Sequence, residues 1–209
     1  MIRIIFFSGR KWHISNKEVQ FYLVGNSDRN KSYSNLCGYA LYKRFNRTVH
    51  MQALSVSSKF RPSIIFRLAE FYLLYAEAIN ESTPNDPNIL RYTNFVRERA
   101  GLPKLEVLNP SVTGNQTLQH QAIRMESRIE LATEGQRYFD LHRWMIAENA
   151  PGQGGEGGDL YGMNLDGDKN TFYQRTKFQT LIFKRKNYFF PIPLIEMQKS
   201  TKLVQNPGW

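Results

Sequence analysis

The run SIIFRLAEFYLLYAEAINES, residues 63–82, restricts the fold more than any other stretch of the chain. At helical spacing Arg67, Glu70, Glu77 and Glu81 fall near one line. Ile65, Leu68, Phe71, Tyr72, Tyr75, Ala76 and Ile79 occupy the rest of the circumference. A helix that is apolar over most of its girth must be packed on several sides. The run is therefore expected to lie inside a helical assembly, with Pro62 opening it because its fixed φ suits a first turn.

The segments that follow supply the neighbours. TPNDPN breaks the first helix, and Asp86-Pro87 starts a second over NILRYTNFVRERAG, with Tyr92, Phe95, Val96 and Ala100 as its inner face. Gly101 ends that helix and Pro103 prevents its resumption. A third helix is expected from about Thr117 to Glu134, stopped by Gly135 in a left-handed cap, and a fourth over QRYFDLHRWMIAEN to about Asn149. Helix, short break, helix, twice over, is the pattern of tetratricopeptide-like hairpins. The fold class expected is mainly α, with helical hairpins and irregular loop regions.

Either side of the helices the reading is less regular. Residues 1–61 form a basic, irregular segment with short strands, VQFYLVG among them, and residues 62–149 form the hairpin scaffold. Residues 150–209 begin with seven glycines between Pro151 and Gly167, which predicts a long mobile surface loop. Pro191 and Pro193 then hold the chain extended before a short helix at LIEMQKS, and NPGW closes with a turn. Together these segments make one domain.

Composition narrows the classes. Hydrophobic residues at 41% and aromatics at 13% suffice for a core. No run approaches the length of a spanning helix. The opening MIRIIFFSGRKW is too short an apolar patch for a signal peptide, so the expectation is a cytosolic chain or one whose true start is missing. A single cysteine, Cys37, excludes an internal disulfide framework and a multi-cysteine zinc site, and reads as a packed thiol. The net charge of +10 is concentrated in residues 1–61, with eleven Lys/Arg against two acids. A nucleic-acid binder would use such an arm, but its cations are scattered rather than gathered on one helical face, and a solvated or partner-covered surface is the reading preferred.

The stretch IELATEGQRYFDLHRW carries the chemistry worth weighing. Glu126, Glu130 and Glu134 share one stripe at i, i+4 spacing, where like charges repel. Such a row needs cations from elsewhere, and Arg97 and Arg99 before it and Arg137 and Arg143 after it are the candidates. A glycosidase acid needs a raised pKa across a cleft from an ionised partner, whereas carboxylates flanked by arginines are expected to be depressed. The row is read as an ion-paired structural clamp. His142, between Leu141 and Arg143, reads as a packing or surface residue. NLDGDKN places Asn164, Asp166 and Asp168 on alternate positions, but Lys169 stands where a calcium loop turns on glycine and Arg175 where it ends on glutamate. No nucleophile motif, phosphate-binding glycine motif or metal cluster is present in the sequence, so no catalytic residue, cofactor or metal is expected.

The pieces GYALYKRF, FRLAEFYLLYAEAINE, VRERAGLP, ESRIELATEGQRYFDLHRW, YFFPIPLIEMQ and QNPGW, in this order, closely resemble the C-terminal half of the SusD/RagB family, over roughly residues 33–209. The resemblance implies a cell-surface lipoprotein of the outer membrane. Such a protein sits on a SusC-like TonB-dependent transporter and captures oligosaccharides or other nutrients for import. It implies a tetratricopeptide-like scaffold, with EGQRYFDLHRW part of that scaffold. Family members are longer and begin with a signal peptide and a lipid-bearing cysteine, so the chain is expected to be a C-terminal portion. Sugar contacts are expected from aromatics outside the helical pattern, with Trp12, Tyr161 and Tyr173 as candidates. The alternatives are a helical-repeat protein-interaction scaffold without a small ligand, then a glycosidase, then a nucleic-acid binder.

Overall fold

The computed structural model describes residues 63–209, together with Cys37, Lys43, Phe60 and four short strands, β1 (Ile4–Phe6), β2 (Tyr39–Leu41), β3 (Met51–Gln52) and β4 (Ser55–Val56). Trp12, Pro62, the VQFYLVG strand and the side chains of most of the basic segment lie outside the described residues. The chain forms two compact units, one of Met1–Ile5 and Leu41–Arg137, the other of Phe6–Ala40 and Tyr138–Trp209. The division falls near the start of the fourth helix rather than after Asn149.

The first unit is helical. Its elements are α1 (Leu68–Ser82), α2 (Asn88–Arg99), the short α3 (Leu105–Leu108) and α4 (Gln116–Glu130). α1 packs on both α2 and α4, and α2 on α4. Ala69, Leu73 and Val96 form one buried cluster with Tyr72 against it, and Ala76, Ile89 and Ile123 a second with Ile79 and Tyr92. On α1 the buried positions Ala69, Leu73, Ala76, Glu77 and Asn80 make a single stripe, so Glu77, expected on the polar line, lies with the packed face instead. The several-sided packing expected of α1 is thus corrected. α2 and α4 both lie along this one stripe, and Leu68, Phe71 and Tyr75 remain exposed.

Capping explains the boundaries. Gly101 has φ +75, Leu102 N–H donates to Arg97 O at 2.9 Å and Gly101 N–H to Glu98 O at 2.9 Å, so α2 ends in a Schellman motif as its glycine predicts. Asn115 caps α4, its side chain accepting from Leu118 N at 3.1 Å. Asn80 and Gln116 tie the end of α1 to the start of α4 by reciprocal bonds of 3.1 and 2.9 Å. α1 starts at Leu68, not near residue 63, because Arg67 takes an extended conformation before it.

Two other ends were placed differently by sequence. α4 stops at Glu130, and Thr133 rather than Gly135 makes the first left-handed turn, at φ 68. The fourth helix, α5 (Gln136–Arg143), stops six residues before Asn149. Met145 there adopts φ 54 and donates to His142 O, while Ile146 N–H donates to Leu141 O at 3.2 Å. This too is a Schellman turn, made without glycine and sealed by Ile146 packing on the Leu141, Ala147 and Tyr188 cluster.

The second unit contains a β-hairpin where sequence predicts a mobile loop. β5 (Gly158–Met163) pairs antiparallel with β6 (Arg175–Leu181), Tyr161 opposite Lys177 and Met163 opposite Arg175, with a bulge between Leu160 and Tyr161. The glycines serve close approach here. A Cβ on Gly162 would lie 2.5 Å from the carbonyl oxygen of Cys37, whose backbone also accepts from Met163 N at 3.0 Å. One on Gly155 would overlap the carbonyl oxygen of Asn149. The C-terminal reading holds: α6 (Leu194–Lys199) follows Pro193, and Gly208 turns the chain at φ 86. Gln205 exchanges bonds of 2.8 and 2.9 Å with Ile192, and the Trp209 indole donates to Lys186 O and Phe189 O at 3.0 and 2.9 Å. The QNPGW motif thereby fastens the extended YFFPIP segment.

Candidate functional site

Two groups of side chains concentrate the polar chemistry, one in each unit. The first is the carboxylate row. Glu126 and Glu130 stand one turn apart on α4, both buried. Glu134 is not on the helix. The chain turns after Glu130, Glu134 N–H donating to Leu131 O at 3.0 Å, and this brings the Glu134 carboxylate back beside Glu130 at a shared cation.

That cation is Arg67. Its Nη1 meets Glu130 Oε1 at 2.6 Å, while Nε and Nη2 grip Glu134 at 2.7 and 2.9 Å. Nη2 also donates to the main-chain oxygen of Glu130 at 2.7 Å. Lys43 pairs with Glu134 and donates to the main-chain oxygens of Glu130 and Ala132 at 2.7 and 3.0 Å. The carbonyl of Glu130 at the end of α4 and that of Ala132 in the turn after it are therefore capped by two cations, which also suit the negative end of the helix dipole. Arg97 pairs with Glu126 inside the unit and donates through Nε to Pro103 O at 2.9 Å, and Arg99 reaches Glu130 from the surface. Asn94 on the same face of α2 accepts from Leu105 N at 3.0 Å, so α2 holds the loop that leads to α3.

The geometry places Arg97 against Glu126 and Arg99 against Glu130. Arg143 pairs with Asp140 at 3.1 Å and lies over Trp144, 4.8 Å from its ring centre. Arg137 is half-buried at the start of α5. Arg67 and Lys43 were not foreseen. The signal available for Arg67 was a single cation inside an apolar run; for Lys43 there was none beyond its place in GYALYKRF.

The expected depression of all three carboxyls is corrected at Glu126. Burial pushes that carboxyl above its ordinary value, the Arg97 charge and hydrogen bond offset this only in part, and Glu130 adds to the rise. At Glu134 burial also pushes upward, but the hydrogen bonds of Arg67 and then Lys43, with their charges, outweigh it and hold the carboxyl low. Burial works against the charge on Arg67, and Glu134 and Glu130 more than compensate. Opposite shifts on neighbouring carboxyls are also the pattern of an acid and base pair. Here, however, Glu126 is bound to Arg97 and both oxygens of Glu134 are taken by Arg67, so the groups are committed to partners.

His142 is a packed ring, its Nδ1–H donating to Tyr138 O at 2.7 Å and its centre 4.1 Å from that of the tilted Tyr138 ring, with Phe183 and Tyr188 in edge-on contact. Asp168 accepts from Thr171 N, Thr171 Oγ and Asn170 N at 2.9, 2.7 and 3.1 Å. These bonds, led by the Thr171 hydroxyl, lower its pKa and fold a local turn. Among the described residues no group of His, Cys, Asp and Glu is arranged to hold a metal.

The second group lies on the β5–β6 hairpin, where both described aromatic candidates sit. Tyr161, 43% exposed, carries the Arg175 guanidinium 3.9 Å above its ring centre. Tyr173, 58% exposed, stands in the connecting turn, edge-on to the buried Phe172 at 5.2 Å. Asp159 accepts from Thr180 at 2.6 Å and faces Lys177 at 3.5 Å. An exposed ring with cations beside it suits stacking and polar capture of a ligand rather than bond cleavage.

The SusD family model matches residues 3–209. The chain is 30% identical over 150 residues to SusD-like protein P2 of Formosa agariphila, covering 70% of this chain and 26% of that protein. It is 43% identical over 84 residues to SusD-like protein P25 of the same organism, covering 40% of this chain and 15% of that one. A solved SusD-like protein from Bacteroides fragilis superposes with TM-score 0.72 at 28% identity, over 92% of this chain and 34% of that one. The chain thus spans between 15% and 34% of the length of each of these proteins.

Proposed function

The chain belongs to the SusD family, and from that premise we propose that it is part of a non-catalytic protein that captures glycans or related nutrients at the cell surface. On this reading the protein hands its ligand to a SusC-like TonB-dependent transporter in the outer membrane and is held there by a lipid anchor in its full-length form. No helix among the described residues is long and apolar enough to cross a membrane. The observation that carries the reading is the family match over residues 3–209. The ion pairing supports it: Glu126, Glu130 and Glu134 act as a clamp, with Arg97, Arg99, Arg67 and Lys43 as its other jaw, while Arg143 pairs with Asp140.

A binding component needs contact surface and no reacting group. Tyr161 and Tyr173 supply exposed aromatic area in the second unit. The test is electrophoresis of the purified chain through gels containing a panel of polysaccharides, with chromatography of the incubated sugars. Retardation by at least one polysaccharide without new products is expected. Products that vanish in Glu126→Gln or Glu130→Gln would make the row an active site.

A second reading, a protein-interaction scaffold without a small ligand, draws on Leu68, Phe71 and Tyr75, which leave one side of α1 apolar and exposed. Absence of retardation by every polysaccharide would favour it.

A further inference from the structure

The β5–β6 hairpin carries a cation that no described carboxylate engages. Arg175 opens β6, is exposed, and rests on the ring of Tyr161 at 3.9 Å. Among the described residues no carboxylate pairs with it. Other cations of the second unit are engaged: Lys177 faces Asp159 at 3.5 Å, Arg185 faces Glu148 at 3.3 Å, and Lys186 lies over Trp209 at 4.0 Å. The strand register sets Lys177 directly across from Tyr161, so one exposed ring is flanked by two cations, and Asp159 on the same strand already serves Lys177 and Thr180.

We propose that Arg175 and Tyr161 form a subsite for an acidic sugar, one that bears a carboxylate or a sulfate ester, with Lys177 as a secondary charge. This rests on the glycan-binding reading and names the ligand class of that site. A guanidinium lying on an aromatic face keeps the N–H donors on its edge available, in the planar fork that matches two oxygens of a carboxylate or sulfate. Contact with the ring also restricts the arginine side chain before the ligand arrives, which reduces the ordering cost of binding. The exposed remainder of Tyr161 offers apolar area to the body of the sugar. A neutral sugar would give Arg175 hydroxyl partners only, without the opposite charge and the two parallel acceptor oxygens that a carboxylate or sulfate presents to the fork.

The experiment is calorimetric titration of the full chain with four probes: an oligogalacturonate, its methyl ester, a sulfated galactan oligosaccharide and the same oligosaccharide desulfated. At least one anionic probe should bind, with its neutralised counterpart about tenfold weaker. The two anionic arms separate carboxylate from sulfate recognition. Arg175→Gln should weaken the anionic probe about tenfold, and Arg175→Lys should restore only part of the loss because a point charge lacks the fork. Lys202→Gln, which removes the same charge from another exposed position, should leave binding unchanged and so exclude general attraction to a chain of net charge +10. Equal weakening by Arg175→Gln and Lys202→Gln, or equal binding of charged and neutralised sugars, overturns the proposal. Binding of neutral sugars indifferent to Arg175→Gln would leave the glycan-binding reading standing and remove this one; no binding to any probe removes the subsite, while polysaccharide retardation judges the broader reading separately.

Discussion

Arg67 grips Glu134 with two parallel hydrogen bonds, Nε to Oε2 at 2.7 Å and Nη2 to Oε1 at 2.9 Å, across 67 residues of sequence. The same guanidinium meets the side chain and the main-chain oxygen of Glu130. One residue immediately before α1 thus fixes both the end of α4 and the turn that follows it. Arg67→Met is expected to cost about 2–3 kcal/mol in urea unfolding, less than breaking a fully buried pair because Lys43 and Arg99 still face the carboxylates. Arg67→Lys should recover only a minor part, since an ammonium cannot span both acids. Full recovery by lysine would mean that charge alone matters there.

The two shifted glutamates predict opposite pH responses. Glu134 is held low, so its contribution is fully present above the unfolded carboxyl value of about 4.3 and is lost as pH falls through its lower folded value. Glu126 is held high, so in the window between the unfolded value and its raised folded one the folded state binds the extra proton and stability declines as pH rises. In urea titrations across the acid range, Glu134→Gln should flatten the loss on the acid side, and Glu126→Gln should remove the decline just above it. Identical profiles for the two variants would contradict the assignment.

Close approach rather than freedom explains two glycines of the second unit. Gly162→Ala would set a Cβ against the Cys37 carbonyl, and Gly155→Ala one against that of Asn149. Each is expected to destabilise by about 1–3 kcal/mol, since backbone must move. Gly152, with nothing within 4 Å of a Cβ and no positive φ, should accept alanine with little change or a gain of about 0.4–1 kcal/mol. Thermal melts of the three variants check the ordering, and equal melting temperatures would return the stretch to the status of a loop.

These positions mark what could be read from the chain. α2 was legible to its end because Gly101 performs the turn that glycine is suited to perform. α4 and α5 were overextended because Thr133 and Met145 take left-handed turns that their side chains disfavour, sustained by packing and hydrogen bonds that only the folded chain supplies. The hairpin was missed for a related reason: glycine density reads as slack, yet here Gly155, Gly157 and Gly162 admit the backbones of Asn149, Glu148 and Cys37 in turn. In the carboxylate row the need for cations was legible from like charges one turn apart. The supply by Arg67 and Lys43 was not, because it depends on where α4 ends. Of the aromatic candidates, Tyr161 and Tyr173 are at the surface, and Trp12 lies outside the described residues.

The central claim is that the glutamate row holds the scaffold while ligand capture proceeds elsewhere without chemistry. It is tested most directly by the thermal melt of Glu130→Gln, with and without the polysaccharide that retards the wild-type chain. Glu130 is buried beneath Arg67 and Arg99, so its loss should lower the melting temperature by the equivalent of about 3–5 kcal/mol. At equal polysaccharide concentration, the increment in stability that the polysaccharide adds should equal that of the wild type, because it then depends only on affinity. An unchanged melting temperature with the increment abolished would contradict the claim and make Glu130 part of the site.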